Sequence, residues 1–196
     1  MYQLTHQLVL GSKSPRRQEL LKGMGFDFEL RTKETAEDYP SDLSCDEVAG
    51  YLASIKADAL LPTLSSNELL VTSDTVVITD NQVLGKPNNN EEALQMLSQL
   101  SGKTHRVITG VHLATLQMRV TFSVTTEVSF YPMDVKELQH YISNYQPFDK
   151  AGSYGIQEWI GFIGIEKMNG SYYNVMGLPT AELWQKLKAF GFIQLR

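Results

Sequence analysis

Two arginines, Arg16 and Arg17, follow Ser12-Lys13-Ser14-Pro15 where a short apolar run, Leu8 to Gly11, gives way to a helical pattern. Serine suits the helix cap and proline the first helical position, so Ser14 and Pro15 predict a helix start there. Both guanidinium groups then stand in the first turn. The helix dipole is positive at that end, so cations have the wrong sign unless an anion joins them. Backbone N–H groups of a helix start bind phosphate, and guanidinium forks match phosphate oxygens. The pattern reads as a phosphate site contacted by Ser12, Arg16 and Arg17, with a solvated basic helix start as the plain alternative. On the phosphate reading, truncating either arginine weakens phosphate binding and, by relieving the dipole clash, favours a slight gain in ligand-free stability.

Asp74 is the second signal. It sits with Ser73 and Thr75 inside the run Leu69 to Ile78, which is otherwise rich in Leu, Val and Ile. A carboxylate buried there needs a metal, a cation or a hydrogen-bond network. Carboxylates at strand ends of α/β folds often ligate metals or catalyse; an aspartate satisfied by local amides is the plain alternative. Lys86 is pinned between Gly85 and Pro87. Lys56 lies on a mostly apolar helix and Glu37 in an acidic loop; taken singly, each is an ordinary surface residue. The run Asp149 to Gln157 contains two glycines, which allow close approach of backbone to a ligand. Gln157 offers both a donor and an acceptor, as reading a nucleobase edge requires.

These residues need elements to hold them. The pattern predicts a strand over Leu8 to Gly11, a helix carrying Leu20, Leu21 and Met24 inward and stopping at Gly25, and an alternating strand over Phe26 to Leu30. A loop follows from Lys33 to Asp46. Asp46 is a candidate cap for a helix reaching Ala59 and ending near Pro62. The strand stretch Leu69 to Thr79 is interrupted at Ser73-Asp74-Thr75 and turns at Asp80-Asn81. A helix from Asn90 ends at Ser101-Gly102. His105 to Phe130 predicts two long strands turning near Leu116-Gln117. Helices over Asp134 to Ile142 and Pro179 to Phe190 complete the pattern. The sum is an α/β fold with a long mixed sheet and flanking helices, one domain over residues 1–196.

Composition excludes several classes. The chain has 196 residues, net charge -5 and 42% hydrophobic residues, which describes an ordinary globular protein and not a general nucleic-acid binder. Cys45 is the single cysteine, so there is no disulfide framework, and a reducing compartment is expected. Met1 to His6 lacks an apolar signal core, and no run reaches the roughly 18 residues of a membrane span. A cytoplasmic protein with no membrane partner is expected. The Walker pattern is absent, which weighs against P-loop chemistry. His6, His105, His112 and His140 show no metal-ligand spacing.

Taken in order, Ser12 to Arg17, Ser73-Asp74-Thr75, Gly85-Lys86-Pro87, Leu100 to His105, Asp149 to Gln157 and Gly177-Leu178-Pro179 resemble the Maf family of nucleoside triphosphate pyrophosphatases. The resemblance covers nearly the whole chain. It implies a mixed α/β fold with two lobes around a central cleft, similar to inosine triphosphate pyrophosphatases. It also implies cleavage between the α- and β-phosphates with a divalent metal, Mg²⁺ or Mn²⁺. It makes Asp74 the general base and puts Ser12, Arg16, Glu37, Lys56 and Lys86 in the active site. Lys56 and Lys86 join Asp74 as catalytic residues, and Glu37 and Asp74 are the expected metal ligands. Arg17, Thr75 and Gln157 bear on substrate choice. The run Tyr154-Gly155-Ile156-Gln157 resembles the branch acting on dTTP and UTP. Two departures are visible: Gly11 replaces the usual alanine, which should matter little, and Ala36 replaces an aspartate found in many members, which weakens the metal role of Glu37.

The implied chemistry agrees with the residues. A triphosphate brings about four negative charges, which Arg16, Arg17, Lys56, Lys86 and a metal can neutralise. Water attacks the α-phosphorus, oriented by Asp74 or polarised by the metal. Two other readings remain: hydrolysis of 7-methylguanosine or damaged purine triphosphates, and a nucleotide-binding regulator of cell division with little catalysis. A homodimer is compatible with the sequence.

Overall fold

The computed structural model describes residues 2–195. Met1, the first residue of the polar stretch read as lacking a signal core, lies outside them. The chain divides into two compact units, one comprising residues up to Asp74, Thr109–Val124 and Gly177 onward, the other Thr75–Ile108 and Thr125–Met176.

In the first unit, strand β2 (Gln7–Leu10) runs parallel to both β3 (Phe28–Leu30) and β4 (Glu68–Thr79), with Val9 opposite Glu29 and Leu70. A short strand β1 (Tyr2–Leu4) pairs antiparallel with β9 (Ile193–Leu195). Between β2 and β3 lies helix α1 (Pro15–Gly23), with Pro15 in its first turn. Ser14 holds the cap position but its side chain makes no cap bond. Instead the Ser12 hydroxyl accepts the Ser14 N–H at 3.3 Å, because Ser12 is turned back toward the helix start. The strand after α1 is shorter than expected and does not alternate: Glu29 and Leu30 are both exposed.

Helix α2 (Cys45–Leu60) buries Val48, Ala49, Leu52, Ala53, Ala57 and Leu60, a stripe at helical spacing. Ala57 and Leu60 pack on Val9, Leu70 and Ala114. The cap is Ser44, whose hydroxyl accepts the Asp46 N–H; Asp46 is already inside the first turn, where its charge suits the dipole. Gly11 matters more than expected. A Cβ there would lie 2.6 Å from Thr72 Cγ2 and 2.8 Å from Leu60 Cδ1, so these side chains already fill that space. Arg31 forks onto Glu68 at 2.8 and 3.0 Å, which holds that carboxyl below its ordinary range and joins the end of β3 to the start of β4.

The second unit takes the far part of β4, which pairs antiparallel with β5 (Gln82–Leu84) through a turn with positive φ at Asp80 and Asn81. Helices α3 (Asn90–Leu100) and α4 (Val135–Tyr145) pack together. Asp134 and Glu137 form a reciprocal capping box on α4. Strands β6 (Thr104–Ala114) and β7 (Arg119–Phe130) are the two long strands expected, and β8 (Ile165–Asn169) pairs antiparallel with β7. Short helices α5 (Trp159–Gly164) and α6 (Tyr172–Met176) flank β8, and α7 (Thr180–Ala189) belongs to the first unit. The strands bond in the order β3-β2-β4-β6-β7-β8, with β5 on β4: a mixed sheet with helices, as read from the sequence.

His105 on β6 is 1% exposed and shares a 2.8 Å hydrogen bond with Tyr154 OH, edge-on to Phe130. Burial pulls its pKa down to about 4. The unfolded chain takes up that proton near pH 6.5, so the folded state loses stability as pH falls from about 6.5 to about 4, by about 3 kcal/mol. His105→Phe should flatten that part of the slope of urea midpoint against pH. Identical slopes would show that His105 does not carry it.

Candidate functional site

β4 runs unbroken through Ser73-Asp74-Thr75, so Asp74 stands in mid-strand and not at a strand end. Tertiary pairing overrides the polar interruption because these side chains have partners. Asp74 is 7% exposed, and its Oδ2 accepts a short hydrogen bond from Lys56 Nζ. Lys56 sits on α2, whose apolar stripe anchors the helix on the sheet. The same ammonium reaches Glu37 Oε1 at 3.3 Å, from the irregular segment before α2. One cation thus joins two carboxylates that lie far apart in sequence.

The α1 start adds to this group. Ser12 is 8% exposed. Arg17 donates to Ser12 Oγ at 3.2 Å and through Nε to the Gly177 carbonyl at 2.8 Å. That carbonyl also accepts from Ser73 Oγ at 3.1 Å. Burial lowers the Arg17 pKa, Asp74 and Glu37 raise it, and Arg16 lowers it further. The four charges are therefore within electrostatic reach. Within one unit the fold gathers Ser12, Arg16, Arg17, Glu37, Lys56 and Asp74.

The other three expected residues belong to the second unit. Thr75 follows Asp74 on β4 and is half-buried. Lys86 is exposed beside buried Pro87. The Gly152 N–H donates to the Gly85 carbonyl at 3.0 Å, tying the Lys86 segment to the turn at Ala151–Ser153. Gln157 is half-buried. Its Oε1 is buried and accepts no hydrogen bond among the described residues. Sequence reasoning missed Gly177 as a binding partner of Arg17; the Gly177-Leu178-Pro179 motif was its only signal. It also missed Lys150 and Glu158, a buried ammonium and a half-buried carboxylate paired at 3.2 Å.

No three His, Cys, Asp or Glu side chains cluster as a metal cage among the described residues. Two carboxylates are present, Glu37 and Asp74. That donor set fits a magnesium-like ion, which takes one or two carboxylates and completes its shell with water and substrate phosphates. No helix among the described residues is long and apolar enough to cross a membrane.

A dTTP/UTP pyrophosphatase of Phocaeicola vulgatus is 50% identical over 184 residues, spanning 93% of this chain and 95% of the relative. A dTTP/UTP pyrophosphatase of Parabacteroides distasonis is also 50% identical, over 94% of this chain and 96% of its own. Among solved structures, a nucleoside-triphosphatase described as a dITP/XTP pyrophosphatase from Mycobacterium abscessus matches with a TM-score of 0.41 and 14% identity, over 63% of this chain and 74% of that one. The model of the Maf-like protein family matches residues 7–190. This chain therefore belongs to the Maf-like family.

Proposed function

We propose that this protein hydrolyses dTTP and UTP to the nucleoside monophosphate and pyrophosphate, with a divalent metal, Mg²⁺ or Mn²⁺. The observation that carries the reading is the Asp74–Lys56–Glu37 group beside Arg16 and Arg17. The names of the two relatives support the substrate class.

Asp74 accepts the proton of the attacking water, and its short bond to Lys56 fixes its orientation. Lys56 offsets charge that builds up on the phosphates, and Lys86 serves the leaving pyrophosphate. Ser12, Arg16 and Arg17 grip the phosphate chain through hydroxyl and guanidinium donors. Glu37 and Asp74 would hold the metal, which when bound polarises phosphate oxygens and neutralises their charge.

Thr75 and Gln157 choose the base. Uracil and thymine carry a donor at N3 between two carbonyl acceptors; cytosine has an acceptor at N3. A Gln157 amide set to accept from N3–H through Oε1 and donate to O4 through Nε2 matches the first pattern; cytosine reverses both, with an acceptor at N3 and a donor at its exocyclic amine. A polar site left unpaired by the wrong base discriminates strongly.

The test is pyrophosphate release from dTTP, UTP, CTP, dCTP, GTP and 7-methyl-GTP with Mg²⁺ or Mn²⁺. Wild type should favour dTTP and UTP. Gln157→Ala should lower kcat/KM for these two more than for CTP, by roughly tenfold, the effect of about 1.4 kcal/mol. A preference for GTP or its 7-methyl form would overturn the substrate assignment. An equal loss on every nucleotide would remove Gln157 from base reading.

A further inference from the structure

The segment that carries Gln157 is braced by a polar network that the proposed chemistry leaves unused. The Glu158 N–H donates to the Gly155 carbonyl at 3.0 Å, closing a turn with Ile156 and Gln157 at its centre. The Gly155 N–H donates to the Tyr141 hydroxyl at 3.0 Å. A phenol has one hydrogen, and here it goes to Glu158 Oε2 in a short hydrogen bond. The other carboxylate oxygen of Glu158 meets Lys150 Nζ at 3.2 Å, and that ammonium also binds Asp149 at 2.6 Å. Both residues flanking the turn are thus held by one hydroxyl. The next residue upstream, Tyr154, is held by His105.

Two observations make this more than packing. Lys150 is 7% exposed, and an ammonium buried with a carboxylate gives little net stability compared with apolar side chains of the same volume. What such a polar network provides is one defined geometry. In addition, Gln157 and Glu158 fold back over Gly155. A Cβ at residue 155 would lie 2.9 Å from Glu158 Cδ and 3.0 Å from Gln157 Nε2. The glycine leaves room for the amide beside the turn whose two flanking residues the network holds.

We infer that Tyr141, Glu158 and Lys150 are positioning residues that set base selectivity by holding the Gln157 amide at a fixed place and angle; this rests on Gln157 reading the base. An amide that must meet a donor edge loses discrimination once it can rotate or shift by a fraction of an ångström. The base of the turn sits on α4, whose capping box fixes where Tyr141 stands.

The experiment measures kcat and KM for UTP and CTP in wild type, Tyr141→Phe, Glu158→Ala, Glu158→Gln, Gln157→Ala and the Tyr141→Phe/Gln157→Ala double variant. Tyr141→Phe keeps the ring stacked on Tyr145 at 5.1 Å and removes only the hydroxyl. The UTP-to-CTP ratio of kcat/KM should fall about tenfold in Tyr141→Phe and in Glu158→Ala, mainly through KM for UTP. Glu158→Gln keeps an acceptor for Tyr141 and should recover part of the ratio. Adding Tyr141→Phe to Gln157→Ala should move the ratio no further, since the hydroxyl acts through that amide. Equal losses on both nucleotides, or a ratio lost in Gln157→Ala but kept in Tyr141→Phe and Glu158→Ala, would overturn the positioning role alone. A ratio unmoved by Gln157→Ala would overturn the base-reading assignment and this inference with it.

Discussion

Asp74→Asn is expected to cut turnover by about 10²–10⁴-fold, the usual scale for loss of a general base, in a protein that still folds. The amide keeps the shape of the carboxyl and removes its charge and basicity. Asp74 is buried on a strand whose neighbours Ser73 and Thr72 are bound elsewhere, to the Gly177 and Ala53 carbonyls. The strand therefore does not depend on the carboxylate for its place. Lys56 loses one partner but keeps Glu37 at 3.3 Å and is itself partly exposed, so its charge is not stranded. Steady-state release of pyrophosphate gives the rate, and a thermal melt reports the fold. Titrating the divalent ion separates two roles for the carboxylate. If it mainly holds the ion, higher concentrations restore part of the rate; if it takes the proton, they restore none. A folded variant with near-normal turnover would sink the assignment in either form.

The parts of this site that were legible in the sequence are those where a residue type contradicts its surroundings. Asp74 in an apolar run and two arginines in a first helical turn both ask for a counter-charge, and that need does not depend on knowing the fold. What was not legible is which counter-charge each would find. Lys56 lies 18 residues before Asp74 and Glu37 lies 19 before Lys56, on a helix and an irregular segment brought together by packing. Periodicity placed Lys56 on α2 but gave no reason to prefer it over a solvated lysine. The Arg17 bond to the Gly177 carbonyl spans 160 residues and has no local signature.

The same distinction holds for the fold. The long strands β4, β6 and β7 and helices α2, α3, α4 and α7 are long enough for a pattern to show. Strands β1 and β9 are three residues each, pair across almost the whole chain and have no period to read. Helices α5 and α6 have six and five residues, too short for a helical period to show. The cap of α2 went to Ser44 because its hydroxyl can reach back to the Asp46 N–H. Asp46 remained favourable within the first turn, where its charge suits the helix dipole.

Arg17→Ala is expected to raise KM for dTTP tenfold or more, the effect of losing charge-assisted hydrogen bonds worth about 1.5–3 kcal/mol. The structure also reverses half of the expectation drawn from the helix dipole. Relief of a dipole clash is a surface effect of about 0.3–1 kcal/mol. Arg17 is bonded to the Ser12 hydroxyl and the Gly177 carbonyl, and removing it withdraws donors from both. A withdrawn donor to a buried acceptor costs about 1–3 kcal/mol, although Gly177 keeps the Ser73 hydroxyl. The second effect is larger, so Arg17→Ala should melt at a lower temperature than wild type, not a higher one. Arg17→Lys should fall between wild type and Arg17→Ala in KM, because an ammonium keeps the charge but cannot reproduce the planar fork. Arg16→Ala should raise KM with a smaller change in melting temperature, because Arg16 lowers the Arg17 pKa and its removal eases that repulsion. The measurements are KM and kcat for dTTP alongside thermal melts without nucleotide. Unchanged KM in both alanine variants would remove the arginines from phosphate binding. A higher melting temperature in Arg17→Ala would mean that the dipole clash, and not the bonds to Ser12 and Gly177, dominates at this helix start.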